Sequence, residues 1–158
     1  WFGLGAMKLA DILVTPLRLI EVAGGDVLHA MKQTDPGYSG FGEAYFSFVD
    51  YKYVKGWKRH KHMSLNIVVP IGRILFVLYD QRYDSSTKDT YQEVILSNAN
   101  YSLLSVPPMV WMGFAGLNKG HNILLNLADL PHDPEEAETL KLSAFDYNWD
   151  SHLNSSII

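Results

Sequence analysis

The sequence predicts an all-β chain folded as an antiparallel sandwich or jelly roll, and two observations carry that expectation. About ten short β-prone runs follow one another between residues 11 and 128, separated by Gly and Pro turns, and nothing in that interval has the periodicity of a long helix. Hydrophobic residues make up 47% of the 158. A single domain of this length buries about two thirds of the surface that its unfolded chain exposes. We set that domain at 11–150, with a lead-in at 1–10, of which residues 1–6 are given no function, and a tail at 151–158.

The elements follow in order. Leu13 to Val22 is apolar and β-branched, and Pro16 confines it to an edge or a strand start. Gly24-Gly25 turns the chain, so the alternating segment Asp26 to Lys32 returns as a hairpin, with His29 in a structural role. After the turn Asp35-Pro36-Gly37, residues 40–49 alternate Glu43, Tyr45 and Ser47 with Ala44, Phe46 and Phe48. Two arrangements remain open for this strand: Phe46 and Phe48 in the core, or an outward apolar face that leaves Glu43 and Tyr45 in a cavity. Further strands are expected at Arg73 to Asp80, Tyr91 to Ser97, Tyr101 to Val106, Val110 to Phe114 and Asn122 to Ala128. Asp133 to Leu142 is expected to be a short C-terminal helix outside the sheets, with Asp133 as cap, Pro134 in the first turn and Glu135, Glu136 and Glu138 favouring its N-terminus. The chain after Trp149 has no pattern and is expected to fray.

Composition excludes several functions. Thirteen Lys and Arg against 17 Asp and Glu give a net charge of -4, which argues against non-specific nucleic-acid binding. With no cysteine there is neither a disulfide framework nor a thiolate metal site. No apolar run is long enough to span a bilayer, no membrane partner is expected, and a cytoplasmic location is the expectation. The glycines form no phosphate loop or dinucleotide fingerprint, and no nucleophile elbow surrounds a serine.

The most informative stretch is KGWKRHKHMSLNIVVPIG at 55–72. If 55–62 is extended, Lys58, His60 and His62 share one face while Trp57, Arg59 and Lys61 share the other. Between Tyr51 and Tyr79 there is no acidic residue, but Lys52, Lys55, Lys58, Arg59, Lys61 and Arg73 all fall there. Such a cluster either forms a solvated face or attracts a small anion such as a phosphate.

Gly56, His60, His62 and Gly72 have the spacing of the first cupin motif, and VPPMVWMGF at 106–114 falls where the second is expected. With GFGEAYFS at 40–47, FVLYD at 76–80, VILSNANY at 94–101 and DLPHDPEE at 129–136, the chain from about Leu17 to Trp149 resembles a cupin of the dTDP-4-dehydrorhamnose 3,5-epimerase-like family, which includes dTDP-sugar 3,4-ketoisomerases. The resemblance implies a cupin-type jelly roll holding the sugar inside, a diphosphate against basic side chains, and a homodimer formed by exchange of N-terminal strands. Three features depart from the family. Lys58 stands where the epimerases have a His after the basic-Gly-apolar triplet Lys55-Gly56-Trp57, no Tyr occurs from Asp129 to His132, and no Arg stands just before Gly40-Phe41, where the family's nucleotide-contacting Arg is expected. In the ketoisomerases the paired histidines map to Lys58 and His60, and the Pro-x-x-Trp element to Pro108 and Trp111.

Metal-dependent cupins use two such histidines as first ligands together with a carboxylate and a third His. Here those positions hold Asn66 and Trp111 or Met112, so neither a metal nor any other cofactor is expected. The expected function is an epimerase or ketoisomerase acting on a nucleotide-linked 4-keto-6-deoxy sugar. His60 would remove the acidic proton beside the ketone, and Lys58 would disfavour a second positive charge on that ring and stabilise the enolate. Tyr45 or His62 would return the proton. Lys55, Arg59, Phe41, Glu43, Asn66, Trp111 and Asn126 are the expected substrate contacts, with Phe41 and Trp111 as stacking surfaces. The other class consistent with the missing family residues is a non-catalytic cupin that binds a sugar or nucleotide sugar.

Overall fold

A computed structural model describes residues 7–153; the lead-in at 1–6 and the end of the tail at 154–158 lie outside the described residues. The described residues form twelve strands: β1 Leu13–Pro16, β2 Leu19–Ile20, β3 Val27–Leu28, β4 Glu43–Phe48, β5 Val54–His60, β6 Leu65–Ile71, β7 Arg73–Asp80, β8 Thr90–Ser97, β9 Ser102–Val106, β10 Val110–Gly116, β11 Ile123–Ala128 and β12 Ala137–Thr139. One five-stranded sheet has the order β1-β9-β6-β11-β4 and the other β12-β5-β10-β7-β8, while β2 and β3 form the hairpin expected across Gly24 and Gly25. Every named ladder is antiparallel. β1, which carries Pro16, takes an edge position, where a missing N–H costs no ladder bond. Pro70 in central β6 sits beside a register shift against β11, between the pairs Ile71–Ile123 and Val68–Leu125.

Two apolar layers result. Leu65, Ile67 and Val69 from β6, Ile74, Phe76 and Leu78 from β7, and Leu104 and Val106 from β9 fill the space between the sheets, joined by Leu9 from the lead-in. Burying side chains of this size stabilises the fold by about 1.5–3 kcal/mol each before chain entropy is subtracted. A second cluster of Trp57, Leu75, Val77 and Trp111 lies on the outer face of the β5-β10-β7 sheet, covered by Phe145, Tyr147 and Trp149. That cover depends on Gly113, where a Cβ would stand 2.8 Å from the Trp149 ring.

The C-terminal region differs from the expected helix. Asp133 caps Glu135 N at 3.0 Å, but the turn stops after Pro134–Glu136 as a 3-10 turn, and β12 then pairs with β5. Pairing to an open sheet edge provides backbone partners that a solvated acidic helix would lack. The described part of the tail holds a turn of α-helix, α1 at Asp150–Leu153, with Leu153 buried. No described helix is long and apolar enough to cross a membrane.

Candidate active site

The two sheets separate where β4 and β11 face β5 and β10, leaving a cavity of about 240 Å³. Its floor is apolar, with Leu65, Ile67, Leu124, Met112 and Phe114, and its polar groups are Tyr45, Ser47 and Asn126 on one wall and Lys55, Lys58 and His60 on the other. β4 therefore adopts the outward-apolar arrangement, with Phe46 66% and Phe48 58% exposed and Tyr45 turned to the cavity.

The β5 wall breaks simple alternation. Lys55 and Lys58, an odd number of residues apart, line the same cavity because the β5–β10 register shifts between Lys58–Met112 and Lys55–Phe114. Gly56 occupies this bulge at φ +147, where a Cβ would lie 2.7 Å from Gly113 Cα. Lys55 Nζ donates to Phe48 O at 2.8 Å, tying β5 to the edge of β4. Lys58 makes no side-chain ion pair among the described residues.

His60 is backed by a residue that sequence reasoning assigned to a helix start. Its Nδ1 lies 2.6 Å from Glu136 Oε2, with both side chains nearly buried. Glu136 Oε1 accepts from the backbone N–H of His62 at 2.7 Å and of Met63 at 2.8 Å. Burial pushes the Glu136 carboxyl up, but the His62 amide, His60 and the Met63 amide together outweigh it and hold the group down at about 2. An ionised carboxylate only accepts, so Nδ1 carries the proton and Nε2 of neutral His60 is the basic nitrogen. On the facing wall, Tyr45 Oη accepts from Asn126 Nδ2 at 3.0 Å, which leaves the phenol proton free to donate elsewhere.

Several expected site residues lie elsewhere. His62 does not share the face of Lys58 and His60: β5 ends at His60, and His62 stands exposed in the following bend, contributing only its backbone N–H to Glu136. Arg59 points to the outer face, where it pairs with Glu138 and its guanidinium lies 4.6 Å from the Trp111 ring centroid. Trp111 belongs to the outer aromatic cluster and donates to Gln81 Oε1 at 3.2 Å, so it lines no part of the cavity. Asn66 is buried outside the cavity, donating to Gly37 O at 3.0 Å and accepting from Ser105 Oγ at 2.6 Å. Phe41 is exposed and Glu43 half-buried, and neither lines the cavity. Lys58, His60, Tyr45, Lys55 and Asn126 are the expected residues that converge. Among the described residues no group of three or more His, Asp or Glu gathers to hold a metal ion.

No family model matches the chain. A curated relative, a probable low-salt glycan biosynthesis epimerase from Haloferax volcanii, is 27% identical over 96 residues, or 60% of this chain. The matched region spans 62% of that relative's own length. Among solved structures, a dTDP sugar isomerase from Desulfovibrio desulfuricans G20 superimposes with a TM-score of 0.89 at 38% identity, covering 96% of this chain and 100% of the other. A dTDP-4-dehydrorhamnose 3,5-epimerase from Sulfolobus tokodaii shares the fold with a TM-score of 0.76 at 23% identity, covering 89% and 85% of the two chains. With 38% identity over almost the whole of both chains, and the jelly-roll sheets enclosing a cavity between them, this chain belongs to the dTDP-4-dehydrorhamnose 3,5-epimerase-like family of cupins.

Proposed function

We propose that this protein is an epimerase or ketoisomerase of a nucleotide-linked 4-keto-6-deoxy sugar, with dTDP as the nucleotide. The observation that carries the reading is His60, oriented by a buried ionised Glu136 and set in the wall of a sugar-sized cavity. A binding module has no need of a carboxylate that holds one imidazole tautomer, so the pair favours catalysis over the non-catalytic alternative.

His60 Nε2 removes the proton from a carbon beside the ketone; the electron pair of that C–H bond forms a C=C bond to the carbonyl carbon, and the C=O π pair moves onto the oxygen to leave an enolate. The Lys58 ammonium, on the same wall, stabilises the oxygen anion. Tyr45, from the opposite sheet, donates its proton to the far side of the same carbon, which inverts it; the phenolate then takes a proton from solvent through its exposed edge, and His60 releases to solvent the proton it removed. At about 240 Å³ the cavity is below the usual range of about 300–1,000 Å³ for whole ligands. It suits the sugar ring alone, so the diphosphate lies at the mouth, near Lys55.

A homodimer is part of the proposal. The outward apolar face of β4, with Phe46 and Phe48 exposed, supports it, since such a face on an edge strand invites a partner. A cytoplasmic location is also part of it. The catalytic reading is tested by incubating the protein with a dTDP-4-keto-6-deoxyhexose in deuterated water and following the ring protons by NMR. Loss of a proton signal beside the ketone above the uncatalysed rate is expected. Tight binding of the sugar with no exchange would leave the binding module instead.

A further inference from the structure

The wall built by β4 and β11 holds a polar group that the proton transfers leave unused. Asn126 is 1% exposed and lines the cavity. Its Nδ2 is occupied by Tyr45 Oη, but its Oδ1 has no hydrogen-bond partner among the described residues. Leaving a buried amide oxygen unpaired carries a penalty worth roughly five- to a hundredfold in an equilibrium constant. Leu65, Ile67 and Leu124 beside it offer no side-chain donor, and the donors that share the cavity, Ser47, Lys55, Lys58 and His60, make no hydrogen bond to it. The acceptor is therefore built for a donor that arrives with the ligand.

Chemistry identifies that donor. Tyr45, held 3.0 Å from the same amide, addresses the reacting carbon in the function proposed above, so Asn126 lies over the substituents of that carbon. Beside a ketone at C4, C5 bears a methyl group and the ring oxygen, and only C3 bears a hydroxyl. We infer that Asn126 Oδ1 accepts a hydrogen bond from the sugar's 3-hydroxyl, making Asn126 a specificity-determining residue that selects 4-keto sugars with a free hydroxyl at C3 over their 3-deoxy counterparts. This inference rests on the keto-sugar reading of the cavity.

Calorimetry with two dTDP-linked ligands, a 4-keto-6-deoxyhexose and its 3-deoxy counterpart, tests it. The wild-type protein binds the hydroxylated sugar about tenfold or more tightly. Asn126→Leu removes the acceptor at similar volume and brings the two affinities to within about twofold. Asn126→Asp keeps an acceptor and keeps the preference, and Asn126→Ala supplies the arm without an acceptor if Asn126→Leu does not fold by circular dichroism. Equal binding of both sugars by wild-type protein overturns the inference and leaves the keto-sugar reading intact. A wild-type preference that survives Asn126→Leu also overturns it, by assigning the preference to another group. Binding of neither sugar removes both.

Discussion

Replacing Glu136 by Gln probes the site with almost no change of shape. Three donors converge on this carboxylate: His60 Nδ1–H on Oε2, and the His62 and Met63 amides on Oε1. A carboxamide has one accepting oxygen. If that oxygen stays with the two amides, the new NH₂ group faces His60 Nδ1, which must become an acceptor, and the proton moves to Nε2, where the base is needed. If the amide rotates, two backbone donors lose their acceptor. The first arrangement sacrifices the base, worth about two to four decades in rate. The second destabilises the protein, at about 1–3 kcal/mol for each buried donor left unpaired. The assay is deuterium exchange into a 4-keto sugar nucleotide, with thermal unfolding measured in parallel. Glu136→Gln is expected to exchange at least about a hundredfold more slowly per folded molecule. Its unfolding should also respond differently to acid. The Glu136 carboxyl is held at about 2 in the fold against an ordinary 4.5, so its contribution to stability is present above about pH 4.5 and is lost as the pH falls towards 2. The variant lacks that loss. Exchange within about threefold of wild type, in a variant that folds normally, would refute Glu136 as the group that sets the His60 tautomer.

Lys58→Met should slow exchange by roughly two to three decades, the usual effect of losing one charge-stabilising group, while sparing thermal stability. Trp57→Phe should do the opposite: Trp57 is fully buried on the outer face, 5.3 Å from the Phe145 ring centroid and donating to Leu142 O, so a melting measurement should show a lower Tm while exchange per folded molecule stays unchanged. Phe46→Glu combined with Phe48→Lys should turn a dimer into a monomer by light scattering with exchange measured alongside, and an unchanged mass would reject the β4 face as the interface.

Most of the fold was legible because turn chemistry and β-prone runs alternate without interruption from Leu13 to Ala128. The site was legible only in part, for three physical reasons. Parity along β5 holds from Trp57 to His60 and then fails at the Gly56 bulge, which is why Lys55 joins Lys58 instead of Trp57. The strand VWMGFAG is apolar on both faces, so its pattern does not tell whether Trp111 or Met112 and Phe114 look inward; the cover of Phe145, Tyr147 and Trp149 draws Trp111 outward. Glu136 is 76 residues from His60 in sequence, and its acidic neighbours mimic a helix start. Only the pairing of β12 with β5 brings it to the imidazole. The alternation of β4 did place Tyr45 and Ser47 on one face, but the choice between core and cavity needed the facing sheet.

The central claim is that His60 is the base. Its most direct test is the rate at which deuterium from solvent enters the carbon beside the ketone of a dTDP-4-keto-6-deoxyhexose, for wild-type protein and for His60→Ala at equal bound ligand. Wild type should exchange well above background, and His60→Ala should fall by about two to four decades with ligand affinity little changed. Exchange by His60→Ala at the wild-type rate would contradict the claim.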